Sequence, residues 1–255
     1  MSDANSTVTA AQKSELALCE QLSEWESLPY GVAFWSDDFP GAPEANQLRD
    51  VWLADVDGEA AYEKAETYFD SKGVSCGRWT PASGQDVEPV ARVLNSRGWI
   101  RRISTVWGLS SWDWLEVVPN DAIRVLPARA MPKAFRATFE DGSPDADMRS
   151  ELAGERLNDS RLDVFVAVHD GTPAGRIGYL QVGDIARVTE LTVLPGLRHR
   201  GVAKALATHV LQLARRLLPK EIVACCDQDD GTAADFLRRM GFGEAGRMEC
   251  FERAN

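Results

Sequence analysis

Glu190 to Arg216 reads ELTVLPGLRHRGVAKALATHVLQLARR. An apolar, β-branched run ends at Val193-Leu194, and Pro195-Gly196 turn the chain. A helix follows whose Val202, Leu206, Val210, Leu213 and Leu217 fall on one face. Between strand and helix stand Arg198, His199 and Arg200. A helix start already carries partial positive charge, so basic side chains there oppose the dipole. Either the local fold tolerates that cost or an anion belongs there. The residues favour the anion. Arg198 to Ala203 fits [RQ]-x-x-G-x-[GA], the helix start has unpaired N–H groups, and Gly201 and Ala203 leave room for a diphosphate against the backbone. The dinucleotide pattern G-x-G-x-x-G and the P-loop pattern are both absent from this loop.

Around this stretch the sequence predicts a strand at AIRVLPA and helices near Met131–Phe139 and Asp145–Leu157. Three antiparallel strands are predicted through LDVFVAVHDGTPAGRIGYLQVGDIARVTELTVL, turned at Asp170-Gly171 and Gly183-Asp184. Pro219 ends the basic helix. EIVACC is a buried strand, TAADFLRRM a helix stopped by Gly241, and FGEAGRMECFE the last strand.

With these elements in order, the second half resembles the GNAT family of acetyl-CoA-dependent N-acyltransferases. A second family signature, N-x-x-A-x-x-x-Y-x-x-x-G-[FY], is similar to DGTAADFLRRMGF. Ala233, Gly241 and Phe242 match it, Asp230 stands where Asn is common, and Leu237 where Tyr is common. The resemblance implies an α/β (α+β) fold with a mixed, mostly antiparallel sheet flanked by helices, splayed between its fourth and fifth strands. It implies acetyl-CoA as co-substrate. The backbone of Leu191, Thr192 and Val193 would bond the pantetheine, and the N–H groups of His199, Arg200, Gly201, Val202, Ala203 and Lys204 would hold the pyrophosphate. Arg198, Arg200 or Lys204 would meet the remaining charge. Asp230 would face the pantetheine or cap its helix.

An amine of pKa ~10 must lose a proton before it attacks a thioester. Glu190, a carboxylate in an apolar strand, is the candidate general base if it faces a wet cleft; the alternative is an ion pair with an arginine such as Arg187. Tyr179 is the one tyrosine of the second half and so the candidate acid. Cys225 and Cys226 read as packing, with no base partner for a covalent route.

The first half differs. Residues 1–120 hold 19 acidic and 9 basic residues against 20 and 19 in the remainder, and all eight tryptophans lie between Trp25 and Trp114. This asymmetry predicts two domains, 1–118 and 119–255, joined near Trp114–Ala122. Residues 1–10 are expected to be loose, and Gln12–Leu28 to be a helix. YGVAFWS, NQLRDVWLAD, VSCGRWT and WIRRISTVWGL are expected as strands, and GEAAYEKAETYFDSKG and DVEPVARVLNSRG as helices, the latter capped by Asp86. Val93-Leu94 before Gly98-Trp99 matches Phe236-Leu237 before Gly241-Phe242, so the first half reads as a candidate diverged repeat without a basic glycine loop.

The net charge of −11 argues against nucleic acid. No run approaches the ~20 apolar residues of a membrane span. Five cysteines without C-x-x-C, three scattered histidines and no secretory leader point to a cytoplasmic, metal-free protein. The expected activity is transfer of an acetyl group from acetyl-CoA to a small-molecule or peptide amine by direct attack. The alternatives are a CoA-binding or scaffold module without turnover and a protein N-acetyltransferase.

Overall fold

In chain order the elements are α1 (Ala4–Glu20), β1 (Glu24–Leu28), β2 (Gly31–Trp35), β3 (Gln47–Val51), α2 (Gly58–Ser71), β4 (Arg78–Pro81), α3 (Glu88–Asn95) and β5 (Ile100–Leu109). They continue as β6 (Ile123–Pro127), α4 (Pro132–Ala137), α5 (Ala146–Arg156), β7 (Leu162–His169), β8 (Thr172–Val182), β9 (Ile185–Val193), α6 (Val202–Leu217), β10 (Glu221–Asp227), α7 (Gly231–Arg239) and β11 (Phe242–Glu252). This computed structural model describes residues 4–53, 57–113 and 120–254. Among them no helix is long and apolar enough to cross a membrane.

Two compact units form, and their boundary is interleaved. The C-terminal unit comprises Met1–Glu15 and Thr105–Gly246, the N-terminal unit Leu16–Ser104 and Arg247–Asn255. The linear division at 118/119 differs from this because β5 and β11 each run from one unit into the other. The start of α1 also joins the C-terminal unit, where Glu15 pairs with Arg187 at 2.6 Å. Of the expected joint Trp114–Ala122, residues 114–119 lie outside the described ones.

The opening helix is a correction to the sequence. It begins at Ala4 and ends at Glu20, and Glu24–Leu28 is a strand with Trp25 58% exposed. Its buried stripe is Thr7, Ala10, Ala11, Ser14, Ala17 and Leu18, residues with the helical period but little apolar bulk. The expected strands and helices of the remainder are all present. Asp86 accepts a hydrogen bond from the Glu88 N–H at 3.0 Å, one position before the helix cap.

In the C-terminal unit the strand order is β11-β5-β10-β9-β8-β7-β6, antiparallel from β6 to β9 and parallel between β9 and β10. Helix α6 buries Val202, Leu206, Ala207, Val210, Leu211 and Ala214 against Ile177, Tyr179 and Val188 on one face of the sheet. Side chains alternate along a strand, so Arg176 projects to the other face, where it meets Thr138 and Phe139 behind α4.

The N-terminal unit has the order β1-β2-β3-β4-β11-β5. Trp79, Trp99 and Tyr62 fill its core, with Tyr62 stacked on Trp79 at 5.8 Å. Its succession β1-β2-β3-α2-β4-α3-β5 repeats β7-β8-β9-α6-β10-α7-β11 element for element. In both copies the first three strands pair antiparallel and the fourth parallel to the third. The matched glycines that end α3 and α7 both adopt the left-handed region, Gly98 at φ 78° and Gly241 at φ 80°.

Candidate active site

The two copies diverge where their third and fourth strands meet. Between β8 and β9 the register passes from Gly178↔Thr189 to Arg176↔Thr192, so β9 carries one extra residue. The bulge is at Glu190, whose φ is 54°. Gly175 lets β9 come close, because a Cβ there would stand 2.3 Å from the Thr192 carbonyl oxygen. β9 and β10 pair from Ile185/Glu221 to Val188/Ala224, and their pairing stops there. The backbone of Leu191, Thr192 and Val193 therefore borders a gap on the β10 side.

The N-terminal copy has the same bulge without the gap. Asp50 in β3 takes φ 51°, the counterpart of Glu190. Beyond it β3 and β4 re-register at Val51↔Pro81, and the Ala82 N–H donates to the Val51 carbonyl at 3.0 Å. The helices that follow differ as well. Asp57 caps α2 and accepts from the Glu59 N–H, with Glu59 in the first turn, so carboxylates already occupy that helix start.

Helix α6 has no such cap. After a 3₁₀ turn at Pro195–Leu197, Arg198 is extended and His199 takes φ 63°. Gly201 is the N-cap at φ 84°, with no side-chain cap hydrogen bond. The N–H groups of Val202, Ala203 and Lys204 thus begin the helix without intrahelical acceptors. Arg198, His199, Arg200 and Lys204 are exposed around them. The loop offers several orphan donors and three fixed positive charges to one anion.

Glu190 meets arginines, but not the one expected. Its Oε1 lies 3.3 Å from Arg156 Nη1 on α5, and its Oε2 lies 3.9 Å from Arg176 Nε on β8. Arg187 is turned to Glu15 and to the Ala11 carbonyl instead. Arg176 is 5% exposed; it donates to the Thr138 carbonyl at 2.8 Å and lies 3.5 Å from the centre of the Phe139 ring. Burial pushes its guanidinium down to about 10, against the pull of Glu190. Arg176 had a sequence signal, a lone charge inside the buried strand TPAGRIGYLQV; Arg156 had none, because α5 is polar on most of its surface.

Tyr179 stands apart from Glu190. It is 1% exposed and packs in the α6 core, on the sheet face opposite Arg176, with its hydroxyl donating to Gln181 Oε1. Burial pushes its pKa up to about 12. Its register partner is Val188, before the gap opens, so strand alternation separates it from the base it was paired with. Asp230 caps α7, accepting from the Ala233 N–H at 2.9 Å, and Leu237 is buried in the core. Cys225 and Cys226 are free; burial raises both thiols, and the Trp107 Nε1–H donates to Cys226 Sγ at 3.2 Å. No group of three or more His, Cys, Asp or Glu among the described residues could hold a metal ion.

Residues 128–242 match the family model of the acetyltransferase (GNAT) family. The chain carries a GNAT acetyltransferase domain. No curated protein matches the chain in sequence. Solved structures are similar in fold across nearly its whole length. A conserved protein of unknown function from Staphylococcus epidermidis aligns with 91% of this chain and 94% of its own at 13% identity, TM-score 0.70. A GCN5-related N-acetyltransferase from Kribbella flavida aligns with 96% of each chain at 14% identity, TM-score 0.64. A tandem GNAT protein from the clavulanic acid biosynthesis pathway aligns with 99% of this chain and 96% of its own at 16% identity, TM-score 0.60. The matched residues fall within the C-terminal of the two α/β units.

Proposed function

We propose that the C-terminal unit transfers an acetyl group from acetyl-CoA to an amine, and that the N-terminal unit is a diverged GNAT copy without a cofactor site. The observation that carries this reading is the contrast between the copies. One has an open gap after its bulge and an uncapped, basic helix start; the other has a closed ladder and an acid-capped helix. In the open copy, the Leu191–Val193 backbone would bond the pantetheine as an added strand. The N–H groups from His199 to Lys204 would hold the pyrophosphate, with Arg198, Arg200 and Lys204 supplying charge.

Catalysis then rests on positioning and deprotonation. Glu190 takes the proton of the acceptor ammonium. The freed nitrogen attacks the thioester carbonyl, the C–N bond forms, and the C–S bond breaks with its electron pair leaving on sulfur. The remaining excess proton on nitrogen passes to the thiolate or to water. A thiolate of ordinary pKa ~8.5 leaves without a dedicated acid, so Leu237 in the usual tyrosine position is compatible with turnover.

Free-thiol release from acetyl-CoA, measured over a panel of small amines and amino-terminal peptides, tests the reaction. Release that depends on the acceptor supports it, and peptide-only release assigns a protein acceptor. A protein that gains thermal stability from acetyl-CoA but releases no thiol with any acceptor is a binding module, the reading that buried Leu237 favours.

A further inference from the structure

The arginines around Glu190 are more than the bulge needs. Asp50 holds the same left-handed bulge position in the N-terminal copy, and among the described residues no arginine or lysine forms an ion pair with it. The bulge therefore folds around a carboxylate alone. In the open copy two guanidinium groups converge on one carboxylate. The third arginine of this face, Arg149, is already held by Asp141 and Asp145. Glu190 leaves both of its partners incompletely paired. Arg156 approaches it at 3.3 Å and Arg176 only at 3.9 Å, and the Nε atoms of both arginines are buried without a hydrogen-bond partner. Burying a guanidinium with incomplete partners is costly, and the depressed affinity of Arg176 for its proton reflects that cost. Solvent reaches this cluster through Arg156 and Glu190, whose side chains are 15% and 16% exposed.

We infer that the acceptor is a zwitterion, an amine that also carries a carboxylate, with its carboxylate held by Arg156 and Arg176 and its ammonium by Glu190. Two guanidinium groups beside one carboxylate offer a positive and a negative pole to a molecule that carries both charges. A planar guanidinium fork matches a carboxylate in geometry as well as charge. This inference rests on the acetyltransferase reading above. It makes Arg156 and Arg176 determinants of specificity, and it explains why α5, β8 and β9 each bring a charged side chain to this one place.

The test is a matched acceptor panel: free α- and ω-amino acids, their carboxamides and their decarboxylated amines, assayed by thiol release with acetyl-CoA. At least one acid should exceed its own amide and amine by at least about 30-fold in kcat/KM, the low end for losing a buried charge partner. Arg156→Gln should erase that preference mainly through KM, and Arg156→Lys should restore part of it. Both variants should keep the thermal shift that acetyl-CoA gives the native protein. Amides or plain amines used as well as the acids would overturn the inference, as would a panel in which amides or amines release thiol and no acid does. The absence of any acetyl-CoA shift in the native protein, or of thiol release with every acceptor, is a different result; it would sink the acetyltransferase reading itself.

Discussion

Replacing Glu190 separates the two forces that act on it. Its backbone sits at φ 54°, where an L side chain costs about 1–2 kcal/mol that glycine does not incur. Its carboxylate also offsets part of the charge of Arg156 and of the 5% exposed Arg176. Glu190→Ala and Glu190→Gly both delete the carboxylate, so their difference reports the backbone alone. The glycine variant should be the more stable by about 1 kcal/mol, after allowance for its looser unfolded chain. Glu190→Gln keeps the backbone cost and removes only the charge. A fully buried pair would lose about 3–5 kcal/mol on losing one partner. Here the longer contact is 3.9 Å and Glu190 is 16% exposed, so about 1–2 kcal/mol is expected. Scanning calorimetry suits a chain of two units, because it shows whether one transition moves or both. The change should fall on the transition of the C-terminal unit. An alanine variant as stable as the glycine variant would refute the strained bulge, and an unchanged glutamine variant would refute the ion-pair role.

Other consequences can be checked separately. Tyr179→Phe should keep thiol release within about threefold and cost about 1 kcal/mol for its bond to Gln181; a loss of the ~100-fold size typical of a proton donor would reinstate it as the acid. Asp230→Ala should cost about 1 kcal/mol of stability through the lost cap while leaving acetyl-CoA affinity unchanged, and weakened binding would mean that it faces the cofactor. His209 packs against the Phe165 ring, and burial, with Arg216 adding to it, lowers its pKa. The unfolded chain therefore binds this proton first as pH falls, so stability should drop below about pH 6.5 and level off under the folded value. His209→Gln should flatten that decline, and an identical pH profile in the variant would place its origin elsewhere.

The C-terminal unit was legible because its signals are large side chains at regular intervals. The Val202–Val210 stripe, the Asp-Gly and Gly-Asp turns and the Gly201 loop all follow from local chemistry. Three things were not legible, each for a physical reason. Apart from Leu18 and Cys19, the stripe of α1 is made of alanine, serine and threonine, which carry the helical period without the hydrophobicity that reveals it. The passage of β5 and β11 between units is set by long-range strand pairing, which composition does not record. Glu190 and Asp50 are non-glycine residues in a left-handed conformation, so no residue type marks either bulge, and the partners of Glu190 lie 34 and 14 residues away in the chain. The repeat was visible only at its helix–glycine ends; the shared bulge, and the closed ladder beside one copy of it, needed the structure.

Isothermal titration of the chain with acetyl-CoA bears most directly on the division of labour between the two copies. One acetyl-CoA should bind per chain, and Gly201→Glu, which sets a carboxylate at the uncapped start of α6, should abolish the binding. Two equivalents per chain, none, or full binding by the Gly201→Glu variant would contradict it.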